Sequence, residues 1–210
     1  MTASPTAVNP ATQSFALYFH LLPAGEEEKA LKMLVKQIHE KNDHVSTGIF
    51  GTKYMLEVLS EHGLSDLACK MALQKDFPGW GNMLEKGATT LWEHWDYSDN
   101  TFSHNHPMFG SISGWFHNYL AGIRPAEDAV GYDKIVLQPG GFGQITGAAA
   151  KYWSPHGTVA SGWGKVKNIV HYKAIVPENT SAIILLPYRA PIHVGPGFYQ
   201  YDVVLPQAQD

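Results

Sequence analysis

The spacing of apolar residues changes once along this chain, shortly after Gly122. Before that point, residues such as Leu34 and Ile38 recur at the spacing that places side chains on one face of a helix. After it, the apolar runs are short, rich in β-branched residues and separated by Gly, Pro or Asn, which is typical of strands and turns. The sequence therefore predicts two domains, a helical one over residues 1–123 and a β domain over residues 124–210.

Helical periodicity predicts about five helices in the first domain. The first of them is apolar on nearly every side, so we expect it to be buried all round. Gly63 and Ser65 fit the end of one helix and the N-cap of the next. The predicted helices span residues 12–22, 26–41, 48–62, 66–75 and 108–120.

Short β-branched runs predict seven strands in the second domain. Strands of this length, separated by frequent turn residues, favour an antiparallel sandwich or barrel. The runs are KIVLQ, QITGAAAKYW, GTVASGW, KNIVHYKAIV, SAIILLP, APIHV and YQYDVVL.

Composition excludes several classes of partner. A net charge of −4 with 15 Lys and Arg gives no basic patch, so we expect neither nucleic acid nor an anionic membrane as a partner. No apolar run reaches membrane-spanning length, and the N-terminus lacks the features of a signal peptide, so we expect a cytoplasmic chain. The single cysteine, Cys69, lies in a helical run and is expected to be a buried structural thiol.

Residues 87–110, GATTLWEHWDYSDNTFSHNHPMFG, combine aromatic rings with hydrogen-bonding side chains and contain few aliphatic residues. Such a mixture suits a sugar, which offers C–H faces for stacking and hydroxyls for polar groups. Within it, Glu93 lies between Trp92 and Trp95 in a run of extended character. A carboxylate flanked by indoles is partly desolvated, the setting of a general acid or base. The alternative is a surface Glu beside two packed Trp residues, and composition alone leaves both open.

A metal site is the rival interpretation of the same stretch. His94, Asp96, His104 and His106 are chemically able to bind a metal ion. No HExxH or Cys/His framework supports such a site, and the chain lacks the G-x-S-x-G motif of a serine nucleophile. We therefore expect no metal and no other cofactor.

Several uncommon motifs stand in order along this chain: STGIFGTKYMLEVLSEHGLSDLA, FPGWGNMLEKGATT, GATTLWEHW, SHNHPMFGSISGWF, YLAGI, YDKIVLQP and IVPENTSAIILLP. Together they resemble the C-terminal half of bacterial α-L-rhamnosidases, the family-78 glycoside hydrolases. The resemblance implies the end of a six-hairpin (α/α)6 barrel, followed by a small β-sandwich. It also implies hydrolysis of terminal α-L-rhamnose from glycosides with inversion.

The resemblance also implies roles for individual residues. Glu93 matches the family's general base, and His106 matches a histidine that contacts the bound sugar. Trp80 resembles an aromatic residue at the barrel mouth that stacks on sugar, although a core Trp is an equal alternative. Trp92 and Trp95 are expected to wall Glu93, unless one of them is purely structural, and Trp95 is assigned to substrate binding. Asn105 is expected to bind substrate by orienting the loop, with a simple turn residue as the alternative.

Two departures from the family pattern bear on activity. The residue after Glu93 is often Arg, whereas here it is His94, which does not carry a permanent charge. By the resemblance, the general acid lies upstream of the first residue present here. The expected function is therefore a rhamnosidase-type glycosidase that carries the base. The alternatives are a catalytically incomplete carbohydrate-binding or structural fragment and a lectin-like module formed by residues 124–210. A partial barrel also predicts association with a missing N-terminal part or with a second copy.

Overall fold

The computed structural model describes residues 9–98 and 102–206. It confirms the predicted fold class, with helices first and a two-sheet β structure after them. Within the described residues, no helix is long and apolar enough to cross a membrane. The chain forms two compact units, a helical unit that ends at Ser113 and a β unit that begins at Gly114. The predicted border at residues 123 and 124 stays a prediction.

The helical part of the chain contains the predicted helices with shifted ends, and one short helix that the sequence did not predict. Its last helix begins in the helical unit and ends in the β unit. The first helix starts at Pro10, because the Asn9 side chain caps it by accepting a hydrogen bond from the Thr12 N–H at 3.0 Å. The unpredicted helix, α5, lies in a stretch that looked too rich in turn residues. The helices are α1 Pro10–Tyr18, α2 Glu27–His39, α3 Ile49–Glu61, α4 Ser65–Ala72, α5 Trp80–Glu85 and α6 Ser111–Trp115. A 3₁₀ turn, Met108–Gly110, precedes α6, and a π-helical turn, Phe116–Leu120, follows it.

The expectation that the first helix is buried all round is wrong. Only Ser14 and Leu17 of α1 are buried. Phe15 and Tyr18 pack on the ring of Tyr54 from α3, at centroid distances of 5.2 and 4.7 Å. Most of the other residues of α1 are partly buried and Thr12 is exposed, so the helix is partly covered and not enclosed. Cys69, in contrast, is buried on α4 as expected, and burial raises the pKa of its thiol to about 12.

The β unit forms two four-stranded sheets, with all seven predicted strands present and one more, β1, before them. One sheet has the order β1-β2-β6-β7 and the other β3-β4-β5-β8. Pairing is antiparallel throughout, except that β2 and β6 run parallel. The strands are β1 Ile123–Pro125, β2 Lys134–Leu137, β3 Gly147–Ser154, β4 Gly157–Val166, β5 Ile169–Val176, β6 Ser181–Ile184, β7 Ile192–Val194 and β8 Gly197–Val204.

Alternating side chains build the core of the β unit. In β5, even-numbered residues such as Val170 and Tyr172 are buried and odd-numbered ones are exposed. Two of the polar groups that this burial encloses are paired. The Trp163 indole donates to the Leu120 carbonyl at 2.8 Å, and Ser161 Oγ contacts the Tyr172 hydroxyl at 3.0 Å. Burial raises the pKa of Tyr172 to about 12.

Candidate active site

Two segments of the helical unit, residues 90–93 and 103–106, are joined by hydrogen bonds in antiparallel register. The Glu93 N–H donates to the Ser103 carbonyl, and the His106 N–H donates to the Leu91 carbonyl, each at 2.9 Å. The Thr90 hydroxyl donates to the His104 carbonyl. We call this pair the site hairpin. Its three cross-links tie Glu93 and the residues just before it to the second segment. The extended character expected from the sequence around Glu93 stays a prediction.

Glu93 is held at both its backbone and its side chain. Its Oε2 accepts a hydrogen bond from the Ser103 N–H at 3.0 Å. Its other oxygen, Oε1, has no hydrogen-bond partner among the residues that the structure describes. The side chain is half-buried, so one carboxylate oxygen is oriented by the hairpin while the other is available to a ligand.

A cavity of about 360 Å³ lies against Glu93. This volume is in the range of small-ligand sites. Its walls are largely apolar, and Glu93 is the one carboxylate among the described residues that line it. The other lining residues are Ala11, Phe15, Gly48, Ile49, Phe50, Gly51, His94, Trp95 and Phe109.

The two indoles that flank Glu93 in sequence have different environments. Trp95 lines the cavity, donates its indole N–H to the Thr47 carbonyl at 2.8 Å and stacks on Phe109 at 3.7 Å. Trp92 is buried and packs against His104, with ring centroids 5.6 Å apart. Trp95 thus lines the same cavity as Glu93, whereas Trp92 packs against the second segment of the site hairpin and is not among the described lining residues. The substrate-binding role of Trp95 stays a prediction.

Trp80 lies behind the cavity wall. It is 7% exposed, meets Trp95 edge-on at 5.0 Å and donates its indole N–H to the Phe109 carbonyl at 3.1 Å. These contacts favour the core alternative for this residue, because the ring offers little free surface to a sugar. Its assignment to substrate binding stays a prediction.

His106 and Asn105 lie on the second segment of the site hairpin and are not among the described residues that line the cavity. His106 Nδ1 accepts a long hydrogen bond from the Met108 N–H, 3.4 Å, which places the proton of the neutral ring on Nε2. Asn105 is exposed, and its N–H donates to Ser103 Oγ at 3.1 Å, the geometry of a turn. Their predicted substrate roles stay predictions.

The rival metal site has no ligand set in the described part of the chain, where no group of three or more His, Cys, Asp or Glu side chains could hold an ion. The rings of two of the candidate histidines contact aromatic or other ring neighbours instead. His94 lies 3.6 Å from Phe102, and His104 stacks on Tyr97 at 4.6 Å.

Sequence reasoning missed the residues that complete the cavity. Phe15 of α1, and Ile49 and Phe50 of α3, come from helices distant in sequence, and their apolar character predicted only packing. His94 departs from the family pattern in sequence, and in the structure its side chain lines the cavity beside Glu93. Phe50, which lines the cavity, is 64% exposed, and this exposure of a large apolar side chain could not be predicted from the sequence.

Two family models match the chain in succession. The model of the bacterial α-L-rhamnosidase six-hairpin glycosidase domain matches residues 5–120, and that of the bacterial α-L-rhamnosidase C-terminal domain matches residues 122–196. The chain belongs to the bacterial α-L-rhamnosidase family.

Relatives agree with this membership in both sequence and structure. The α-L-rhamnosidase of Streptomyces avermitilis is 36% identical over 203 residues, which cover 91% of this chain and 20% of that protein. The solved structure of an α-L-rhamnosidase from Dictyoglumus thermophilum matches with a TM-score of 0.86 at 30% identity, over 96% of this chain and 26% of the other. A Streptomyces avermitilis α-L-rhamnosidase in complex with L-rhamnose matches with a TM-score of 0.86 at 31% identity, over 93% and 21%. The chain thus spans about a fifth of the length of the curated relatives that it matches.

Proposed function

We propose that this chain carries the general-base side of a glycosidase site that hydrolyses terminal α-L-rhamnosides with inversion. One observation carries the proposal: the oriented, half-buried Glu93 carboxylate borders an apolar cavity of about 360 Å³ in a member of the α-L-rhamnosidase family. The substrate is a rhamnose-containing glycoside.

In the proposed reaction, Glu93 takes a proton from a water molecule that attacks the anomeric carbon opposite the leaving group. The bond from that carbon to the glycosidic oxygen breaks, and an acid protonates the departing oxygen. Inversion needs two carboxyl groups separated by about 6.5–9.5 Å, with room for the water between them. Since Glu93 is the one carboxylate among the described lining residues, the acid comes from outside this cavity wall.

Neighbouring groups support the proposed base. The Ser103 N–H fixes Oε2, which leaves Oε1 for the water. Trp95 and Phe109 exclude bulk water from one side, which strengthens polar interactions in the site. We propose that His106 donates its Nε2–H to a sugar hydroxyl and that His94 contacts the leaving group side of the cavity.

Hydrolysis of 4-nitrophenyl α-L-rhamnoside and binding of L-rhamnose, measured on the purified chain, test the proposal together. The variant is Glu93→Gln, which keeps shape and removes the base. The matched control is Glu85→Gln, an exposed carboxylate at the end of α5. We expect Glu93→Gln to lower turnover by at least about a thousandfold, the upper part of the range for general-base catalysis, while the control leaves turnover unchanged.

The two readouts separate the alternatives. Turnover that vanishes in Glu93→Gln supports the enzyme. Binding of L-rhamnose without turnover supports the incomplete carbohydrate-binding fragment. That alternative is favoured by the presence of one carboxylate, Glu93, among the described residues that line the cavity. A folded chain that neither binds nor hydrolyses would contradict both. The stereochemistry is tested by NMR of the first product, where α-rhamnose in place of β-rhamnose would rule out inversion.

We further propose that the apolar face of α1 and α3 is a contact surface for more helices of a six-hairpin barrel, in the same polypeptide or in a second copy. Phe19, which follows α1, and Phe50 of α3 are 49% and 64% exposed, and exposed apolar patches mark association surfaces. For the 210-residue chain alone we expect self-association, measured by light scattering, that Phe19→Ser/Phe50→Ser abolishes. A wild-type chain that stays monomeric at the highest concentration measured would contradict a second-copy contact.

A further inference from the structure

The outer face of the sheet β3-β4-β5-β8 carries a second cavity of about 350 Å³, within the β unit. Two neighbouring rows of paired residues form it. One row is Lys151, Ala160, Ile175 and Phe198, and the other is Ala149, Gly162 and Lys173. We call these two rows the sheet trough.

The sheet trough is concave because its central side chains are small and its border side chains are large. A Cβ atom at Gly162 would lie 3.0 Å from the Cβ of Ala149, so even a methyl group would fill the floor. Ile175 and Phe198 rise beside this floor and are 39% and 62% exposed. Solvent-facing positions of antiparallel strands usually carry polar side chains, so exposed apolar residues around a hollow are unusual.

Charge distinguishes the sheet trough from an ordinary apolar hollow. Lys151 and Lys173 are exposed, and neither pairs with a carboxylate in the part of the chain that the structure describes. No Asp or Glu is among the described lining residues, although the whole chain has a net charge of −4. The two lysines lie on β3 and β5 with β4 between them, so the backbones that carry them are about 10 Å apart at the usual strand spacing. Two free ammonium groups across an apolar floor are complementary to a ligand with separated negative charges.

Aromatic rings border the sheet trough at both edges of the sheet. Phe198 lies on the edge strand β8, and Trp153, 80% exposed, lies on the edge strand β3 two residues beyond Lys151 on the same face. Exposed aromatic faces are platforms for the C–H faces of sugar rings. A peptide strand would instead pair with the backbone of a sheet edge. We propose that the sheet trough binds an anionic saccharide, with Lys151 and Lys173 on its carboxylate or sulfate groups and Phe198 and Trp153 against its rings.

The experiment is calorimetric titration of the full chain with four probes. Trigalacturonate carries carboxylates, its methyl ester is the neutral counterpart, 3′-sulfated lactose carries a sulfate, and lactose is neutral. We expect at least one anionic probe to bind, and its neutral counterpart to bind at least about tenfold more weakly. The two anionic arms identify which charged group the sheet trough prefers.

Variants assign the binding to the sheet trough. Lys151→Gln/Lys173→Gln should weaken binding at least about tenfold, and Lys151→Arg/Lys173→Arg should restore it. Ala160→Leu fills the floor without changing charge and should also weaken binding. The matched control is Lys32→Gln/Lys36→Gln, which removes the same charge from the exposed side of α2 and should have no effect.

Several outcomes would overturn the proposal. These are the absence of binding by either anionic probe, equal binding of the neutral counterparts, and binding that survives both Lys151→Gln/Lys173→Gln and Ala160→Leu. Equal affinity for a poly-glutamate peptide would mean that the surface recognises charge alone. A dimer that Phe198→Ala dissociates would make the face a contact between copies. All these readouts are independent of Glu93, so failure here leaves the proposed hydrolysis untouched.

Discussion

The β unit and the helical unit are stabilised by different kinds of contact. In β3, β4 and β5 the side chains alternate between the core and the outer face, and the buried positions hold residues such as Trp163 and Tyr172. In the helical unit, two connections between helices lack repeating structure: residues 40–48, and the described residues of the connection that follows α5, 86–98 and 102–107. Polar contacts hold both of them. The site hairpin uses three cross-links, and Asp43 contacts Lys70 and His39. Regular packing supports the scaffold, whereas individual hydrogen bonds and ion pairs position the non-repetitive segments.

The largest effect that this contrast predicts is in the core of the β unit. Trp163→Ala removes a side chain that is 6% exposed and leaves the Leu120 carbonyl without its indole donor. We expect a loss of about 3–5 kcal/mol in the free energy of unfolding, measured by urea unfolding followed by circular dichroism. Trp153→Ala, a change of the same residue type on the outer face of the same sheet, should cost less than about 0.5 kcal/mol. Equal losses of unfolding free energy in the two variants would mean that the alternation of buried and exposed side chains does not determine the stability of the sheet.

A medium effect is predicted for the ion pairs of the helical unit, and it depends on pH. Asp43 adopts a left-handed backbone conformation, φ 58°, which Asn also tolerates, so Asp43→Asn tests charge without backbone strain. Burial alone would raise the pKa of the Asp43 carboxyl, but hydrogen bonds from Lys70 and His39 outweigh it and hold the pKa below its ordinary value. At pH 7 we expect Asp43→Asn to cost about 2 kcal/mol of unfolding free energy.

The sign of the pH dependence follows from that lowered pKa. A carboxyl group that binds protons less readily when folded contributes stability above its unfolded pKa of about 3.9. The contribution is lost as the pH falls through the folded value. The difference between wild type and Asp43→Asn should therefore shrink progressively below about pH 4. A difference that stays constant from neutral to acidic pH would show that the carboxylate charge is not what stabilises this connection.

The same contrast explains what the sequence could predict. The seven strands from KIVLQ to YQYDVVL were found from alternation and turn residues, and α2 to α4 from their apolar stripes, because one repeating pattern specifies a whole element. Helix α5 and strand β1 were missed because each is too short to show a period. At the candidate site, Glu93 and Trp95 could be chosen from local composition. Phe15, Ile49 and Phe50 could not, because their place in the cavity depends on how α1 and α3 pack.

The smallest predicted effect tests the site hairpin itself. Thr90→Val keeps the shape of the side chain and removes the hydroxyl that bonds to the His104 carbonyl. Because this hydrogen bond is exposed to water, we expect a cost of at most about 1 kcal/mol in unfolding free energy. The local consequence should be easier to detect: the His106 amide, bonded to the Leu91 carbonyl, should exchange its hydrogen about fivefold faster, which corresponds to about 1 kcal/mol of local opening.

Thr89→Val is the matched control, since Thr89 is an exposed neighbour of the same type. It should change neither the global stability nor the exchange of the His106 amide. If Thr90→Val also lowers turnover or L-rhamnose binding while Thr89→Val does not, the hydroxyl contributes to the position of Glu93 through the hairpin backbone. If His106 exchanges at the wild-type rate in Thr90→Val, the two amide cross-links alone are sufficient. In that case the helical unit positions Glu93 as the β unit positions its strands, by backbone pairing.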